Sequence, residues 1–311
     1  RSLTEHLGTG RHYNINSKSG RLHILYSDFA NAEWSVYNND LAAYEENMEC
    51  IEAVKYPYVV IAPSYMIYTQ NYDELLKTHI ESGADITLLY HSVDNAKEYY
   101  LNCSTLNLNK QKGVLSLEPN HGNAKNRNIF MDTYVMRKDL FMELVKKGRK
   151  ISSMFTLNDI VNMACSELDV RGVSHRGFFA SITDFKSYYN ANLSLIDMKN
   201  AVTLFDKNWP IYTRTNDSCP TKYYEGASVK SSVISNGCLI EGTVENSVIG
   251  RGCVIKKGAV VKDSVILPGV VIGEDARIEA QVVDKSARIV HAKELIADPE
   301  KPGYVRRNDT L

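Results

Sequence analysis

From Gly226 to Val290 the chain repeats itself every six residues. The units "IGRGCV" (249–254), "IKKGAV" (255–260), "VKDSVI" (261–266), "IGEDAR" (272–277) and "IEAQVV" (278–283) each open on Ile or Val, and most carry a small residue or Val at the fifth place. Such a period predicts a parallel β-helix: the opening aliphatic residue stacks inward on its counterpart in the next coil, and the small fifth residue lets the chain turn a corner. Glycines in the turns tolerate positive φ. Cys238 and Cys253 fall in the small corner slots, where packing accounts for them better than reactivity. About ten such units make three to four coils, so the solenoid is short and its open end calls for a cap or a partner.

The first half follows other periods. "LHILY" (22–26), "YVVIA" (58–62) and "ITLLY" (86–90) are short and apolar at nearly every position, as buried parallel strands are. Between the first two, Tyr37, Leu41, Tyr44, Met48 and Ile51 recur in steps of four and three, one face of an amphipathic helix. Between the second and third, "NYDELLKTHIESG" predicts a helix stopped at Gly83. Strand, helix, strand, helix, strand implies a mainly parallel sheet with helices on both faces. A hairpin (99–118), a strand (129–136), helices (137–147 and 156–166) and the strand-to-helix stretch "FFASITDFKSYYNANLSL" (178–195), with aromatics at Phe185, Tyr188 and Tyr189, complete this α/β half.

These periods divide the chain into an α/β domain at 1–197, a linker at 198–224, the β-helix at 225–290 and a tail at 291–311. The linker reading rests on two prolines and several turn formers, with Trp209 and Ile211 available to tie the segment onto a domain. A length of 311 residues suits two domains. The net charge of −1 argues against nucleic acid or an acidic membrane as a partner, and no apolar run approaches the ~20 residues of a membrane helix. Six cysteines without a C-x-x-C pair point to reduced thiols and a cytoplasmic protein. The eight histidines lack metal-ligand spacing. The first residue is Arg1 and no signal peptide is read, so the start is expected to be incomplete.

Several stretches resemble the glucose-1-phosphate adenylyltransferases, which make ADP-glucose for glycogen. "HRGFFASITDFKSYYNANLSLI" (175–196) resembles that family's "GYWRDVGTIEAYWEANLDL", and "LFDKNWPIYT" (204–213) resembles "LYDRNWPIRT". "MDTYVM" (131–136) falls where the family has "MGIYVF", "FTLNDIVNM" (155–163) where it has a "DFGKDIIP"-like segment, and "SLTEHL" (2–7) resembles the helix after the nucleotide loop. The resemblance implies a nucleotidyltransferase-like domain followed by a left-handed β-helix. It also implies chemistry in which Mg²⁺ held by carboxylates offsets charge on the phosphates.

At the positions that carry this chemistry the chain departs from the family. The family's "LSGDHIYKMDY" is here "APSYMIYTQNY", with Tyr65 in place of the first metal carboxylate, and "WRDVGT" is here "FASITD", with Ser181 in place of the second. Asp184, three residues on, is the nearest substitute carboxylate, but an odd step reverses side-chain direction along a strand. Of the family's "EKP", Glu118 remains as a candidate sugar contact while the phosphate-binding lysine is Pro119. Phe130 stands for a serine and Ser104 for a glycine that admits the sugar. The glycine-rich nucleotide loop would precede Arg1, and the "GTG" at Gly8 to Gly10 follows a helix and is no substitute.

This pattern resembles the D-type regulatory subunit found beside a catalytic subunit in some Gram-positive bacteria. It implies a heterotetramer in which the catalytic partner uses Mg²⁺ and this chain, binding no cofactor of its own, modulates activity. Two alternatives stay open. One is an active adenylyltransferase using Asp184; the other is a hexapeptide acyltransferase, which needs a solenoid histidine where none occurs between Gly226 and Val290 and His291 lies just beyond. The basic cluster Lys146, Lys147, Arg149 and Lys150 suits a helix C-terminus or an effector phosphate, and Arg306–Arg307 a solvated terminus or an anionic effector.

Overall fold

The computed structural model describes residues 2–8, 10, 22–25, 39–206, 209–211 and 217–311. They form two compact units, Arg1–Phe179 and Ala180–Leu311.

In the first unit, helix α1 (Ser2–Leu7) is followed by α2 (Asp40–Glu46) and α3 (Met48–Glu52), strands β1 (Tyr58–Ile61) and β2 (Met66–Tyr68), and helix α4 (Tyr72–Ser82). Then come β3 (Ile86–Val93), β4 (Ser104–Leu108), β5 (Val114–Pro119), β6 (Arg127–Arg137), α5 (Lys138–Ile151), α6 (Leu157–Ala164) and β7 (Val170–Ser174). Local chemistry sets the helix ends. The Asn71 side chain accepts from the N–H groups of Asp73 and Glu74 to start α4, and Gly83 stops it in the left-handed region at φ 67°. Thr156 and Asp159 form a reciprocal capping box on α6.

The strands form a mixed sheet in the order β5-β4-β6-β3-β7, with β1 against the C-terminal part of β6. Strand β6 pairs antiparallel with β1, β3 and β4, and β3 pairs parallel with β7. The long β6 therefore separates β1 from β3, while β1, β3, β4 and β7 all run in one direction and β5 and β6 in the other. One face buries Leu88, Phe130, Tyr134 and Met136 against α2, α5 and α6; the other buries Leu89, Ile129 and Met131. Helices α2 and α5 approach closely: a Cβ on Gly148 would meet Leu41 Cδ1 at 2.6 Å. The strand expected at 22–26 is not formed at Leu22–Leu25, because no strand of the sheet supplies a ladder to these residues; Tyr26 and Tyr37 lie outside the described residues.

The second unit opens with β8 (Phe179–Ser181, of which Phe179 closes the first unit), α7 (Phe185–Ser194) and α8 (Met198–Leu204). Helix α8, capped by Asp197, occupies the start of the segment read as a linker; Trp209 and Ile211 are 45% and 40% exposed. Three five-stranded parallel sheets then wind from Lys222 to Val305, a β-solenoid of about four turns that matches the hexapeptide repeat. Its interior is three in-register columns. Ile240, Ile255, Ile272 and Ile289 form one, Val244, Val261 and Ile278 the second, and Ile249, Ile266 and Val283 the third, every one of them at most 1% exposed.

The coils are shorter than three hexapeptides. Leu239 pairs with Val254, 15 residues on, and Val254 with Val271, 17 residues on. One corner of each coil drops one residue, where Ser231, Asn246, Asp263 and Ala280 turn it in the left-handed region at φ 42° to 50°, and the 15-residue coil is shortened further between Ile240 and Val244. Just after it runs a serine ladder. The backbone N–H groups of Ser247, Ser264 and Gln281 donate to the hydroxyls of Ser232, Ser247 and Ser264, each at 3.1 Å. Ser247 and Ser264 in turn donate to the carbonyls of Glu245 and Lys262, so the fully buried hydroxyls are satisfied in both directions.

The residues after 290, read as a tail, continue the solenoid. Glu294–Ile296 and Gly303–Val305 add a strand to two sheets, and Leu311 O accepts from the N–H groups of Val290 and His291 at the edge of the third. Helix α7 belongs to the same body. Tyr189, 1% exposed, packs on Val265 and Val282, and its hydroxyl donates to Asp263 O at 2.5 Å. Phe185 meets Tyr304 edge to face, and Lys186 pairs with Glu300. We predict that Ile272→Ala lowers stability by about 2–5 kcal/mol through the cavity it opens between stacked isoleucines. Tyr189→Phe costs about 1 kcal/mol through the lost hydroxyl bond. Urea denaturation of the two variants against the parent measures both.

Candidate functional site

Strand β6 carries an irregularity at its centre. Leu89 of β3 faces Thr133 and the next residue, Tyr90, faces Phe130, so Met131 and Asp132 are extra residues on β6. Met131 points into the core and is fully buried. Asp132 takes φ 43°, a left-handed conformation that suits glycine better than any residue with a Cβ. Its carboxylate accepts a hydrogen bond from the Tyr65 hydroxyl. Burial pushes the Asp132 carboxyl above its ordinary range, and the bond from Tyr65 offsets part of that. The Tyr65 phenol is pushed up by its own burial and then by the Asp132 charge, so it stays a protonated donor. Beside this pair, Thr133 donates to Met131 O at 2.9 Å, which makes Tyr68 the donor to Thr133 at 2.6 Å.

The residues singled out from the sequence fall in several places. Asp184 is the N-cap of α7: its carboxylate accepts from Ser187 N at 2.6 Å, and Ser187 bonds back to the Asp184 N–H. That carboxylate is committed to starting the helix. Ser181 ends β8 and is buried. Phe130 is fully buried in the sheet core, edge to face with Tyr134 at 5.0 Å. Ser104 accepts from Asn158 Nδ2 at 2.6 Å, and Pro119 lies opposite it on β5. Gly8 and Gly10 both take positive φ after α1, as turn glycines do.

Glu118 is exposed and accepts from Ser116 Oγ at 3.2 Å. The pairing register sets it at one end of a lateral row, Glu118–Thr105–Ile129–His91, crossing four strands on one face of the sheet, and His175, the residue after β7, hydrogen-bonds His91 there. In the basic cluster, Lys147 pairs with Glu167 at 3.3 Å and Arg149 with Glu45 at 2.9 Å, while Lys146 and Lys150 line an open groove with Lys138 and Glu143. Arg306, Arg307 and His291 are exposed.

Sequence reasoning missed the two histidines at the far end of that row. His175 is 5% exposed, and its Nε2 bonds Thr69 O at 3.0 Å; a carbonyl only accepts, so Nε2 carries the proton. His175 Nδ1 is then the acceptor and His91 Nδ1 the donor across 3.1 Å. Tyr68 meets His175 edge to face, and Phe179 lies tilted against His91. Only the "TLLYHS" strand signal and an isolated His175 foreshadow it, and nothing in spacing links residues 84 apart. Asp132 was equally hidden, since it lies where the family pattern carries glycine.

Two outcomes follow. Burial first, then the neighbouring His175, lowers His91 to about 4, and burial lowers His175 as well. The folded form thus holds fewer protons than the unfolded chain below an ordinary histidine value of ~6.5. Stability from the pair is complete above ~6.5 and is lost as pH falls toward 4. His91→Gln flattens this part of the melting temperature against pH profile; equal slopes in parent and variant contradict the assignment. At residue 132, Asp132→Gly is more stable than Asp132→Ala by about 1–2 kcal/mol, the cost of a Cβ in the left-handed region. Paired denaturation midpoints check this.

Among the described residues, no group of three or more His, Cys, Asp or Glu side chains is placed to hold a metal ion, and no helix is long and apolar enough to cross a membrane. Residues 220–304 match the family described as GlmU-like, C-terminal hexapeptide. Over 275 residues the chain is 29% identical to the glucose-1-phosphate adenylyltransferase of Clostridioides difficile (strain 630), covering 86% of this chain and 70% of that protein. The protein of that name from Clostridium perfringens (strain 13 / Type A) is 29% identical over 86% of this chain and 68% of its own length. The one from Bacillus cereus (strain ATCC 10987 / NRS 248) is 26% identical over 96% of this chain and 79% of its own length. The chain is thus a homologue of the glucose-1-phosphate adenylyltransferases over most of its length, an α/β unit followed by a hexapeptide β-solenoid.

Proposed function

We propose that this chain is a regulatory subunit of glycogen biosynthesis, catalytically degenerate, that acts by contact on a catalytic glucose-1-phosphate adenylyltransferase partner in the cytoplasm, within a heterotetramer. The observation that carries the reading is the Tyr65–Asp132 pair. Adenylyl transfer in this family calls for carboxylates that seat Mg²⁺ against the phosphates. At the position of the first carboxylate stands a protonated phenol, and the carboxylate beside it accepts that phenol's hydrogen bond on one of its oxygens. At the second position stands Ser181, and Asp184 is held as a helix cap.

Phenol and hydroxyl oxygens are poor ligands for a hard dication compared with carboxylates. The residues present therefore do not fit Mg²⁺, and no catalytic step is assigned to this chain. Each ~1.4 kcal/mol of lost transition-state stabilisation is a factor of ten in rate, so two missing carboxylates and the lysine replaced by Pro119 leave no useful turnover. Glu118 keeps an exposed carboxylate for a sugar hydroxyl. Retention of both folded units supports a role played through surfaces.

The test mixes the purified chain with a catalytic glucose-1-phosphate adenylyltransferase and measures ADP-glucose formed from ATP and glucose 1-phosphate. The chain alone gives none, co-purifies with the relative, and shifts its kcat or KM. ADP-glucose formation by the chain alone restores the active-enzyme reading, and failure both to bind and to shift the kinetics removes the regulatory one.

A further inference from the structure

His91 lies on β3, and His175 is the residue after β7, the strand that pairs parallel with β3. The backbone fixes both, since His175 N donates to Tyr90 O at 2.7 Å. The rings are fixed as well: Tyr68 packs on His175 at a centroid distance of 5.7 Å and Phe179 on His91 at 5.1 Å. His175 Nε2 donates to Thr69 O at 3.0 Å. A hydrogen bond from one ring nitrogen to a backbone carbonyl is what orients metal-bound imidazoles, leaving the other nitrogen to ligate.

That other nitrogen is Nδ1, and it faces His91 Nδ1 at 3.1 Å, with ring centroids 5.3 Å apart. Two nitrogens about 2.0–2.1 Å from a dication stand about 2.9 Å apart at a right angle and about 3.3 Å apart at the tetrahedral angle. The observed span lies between these values. A metal would displace only the shared Nδ1 proton: His91 then carries its proton on Nε2, and both imidazoles stay neutral. Two donors make half a coordination shell, so water must supply the rest. His91 also lines an open cavity of ≈ 490 Å³, whose described lining carries one carboxylate, Asp94, and no lysine or arginine. The cavity gives water a path to His91, and its charge favours a cation.

We infer that His91 and His175 bind a transition-metal dication, Zn²⁺ or its neighbours Ni²⁺ and Cu²⁺, through both Nδ1 atoms, with water in the remaining positions. The ion clamps β3 to the chain just after β7. Imidazole nitrogens suit these metals, whereas Mg²⁺ prefers oxygen donors and Mn²⁺ stands at the weak end of the affinity order. The inference is independent of the regulatory reading, because the site needs neither a substrate nor a catalytic partner.

The test is calorimetric titration of the untagged, chelator-stripped full chain with ZnCl₂, beside melting temperatures with and without the ion. One Zn²⁺ binds per chain, MgCl₂ does not compete, and Zn²⁺ raises the melting temperature, as a ligand of the folded form must. His91→Gln, at a half-buried position, and His175→Gln each weaken binding by about tenfold or more, at least what an outer-shell change costs. Each also removes the rise in melting temperature. If His175→Gln fails to fold, His91→Gln decides alone. Absence of binding at millimolar Zn²⁺, or binding that His91→Gln leaves unchanged, overturns the site.

Discussion

The carboxylate of Asp132 is partly withdrawn from water, on a left-handed backbone turn that aspartate adopts at a cost, and the phenol of Tyr65 donates to it. An aspartate there without a donor would be a partly desolvated, unpaired charge. A tyrosine at 65 without an acceptor would leave a half-buried hydroxyl unsatisfied. Each residue makes the other more tolerable, and the bond ties one acidic oxygen near the centre of β6 to the protein itself. The proposal of a subunit that works through contact rests on that commitment.

The solenoid shows the same economy with neutral groups. Its interior is held by columns of Ile and Val whose register repeats every 15 or 17 residues, and the shortened corner is closed by serines that each accept from one coil and donate to a carbonyl. Hydrophobic stacking fixes which residues point inward. The serine ladder fixes where the chain turns, because a buried backbone N–H without that hydroxyl would be left unpaired. Helix α7 uses the outer face of the same coils, with Tyr189 over Val265 and Val282.

Much of this was legible in the chain, and the reasons differ from element to element. The stacked aliphatics of 249–283 announce themselves because each coil repeats the same burial problem. The helix at 72–82 and the strand at 86–93 are readable from an Asn cap, a Gly stop and the mostly apolar run at 86–90. Residues 22–25 carry an equally apolar pattern and form no strand, since pattern records only a side chain's preference and a strand also needs a neighbour's ladder. The residues after 290 break the hexapeptide rhythm with a loop, which hid two further strands.

The candidate site divides likewise. Tyr65, Ser181 and Glu118 were found because a family pattern marks their positions, and Asp184 because it is the nearest acid. Asp132, His91 and His175 depend on a bulge and on strand neighbours far apart in sequence, and no local signal encodes a partner 67 or 84 residues away.

Mn²⁺ bound to the purified chain in the presence of ATP, followed by electron paramagnetic resonance, addresses the closed metal seat most directly. A seat occupied by the Tyr65–Asp132 bond leaves the spectrum of Mn²⁺ with ATP alone unchanged when protein is added at millimolar concentration. A bound signal that disappears when Asp132 is replaced would contradict it, for it would mean that this carboxylate serves a metal rather than a phenol.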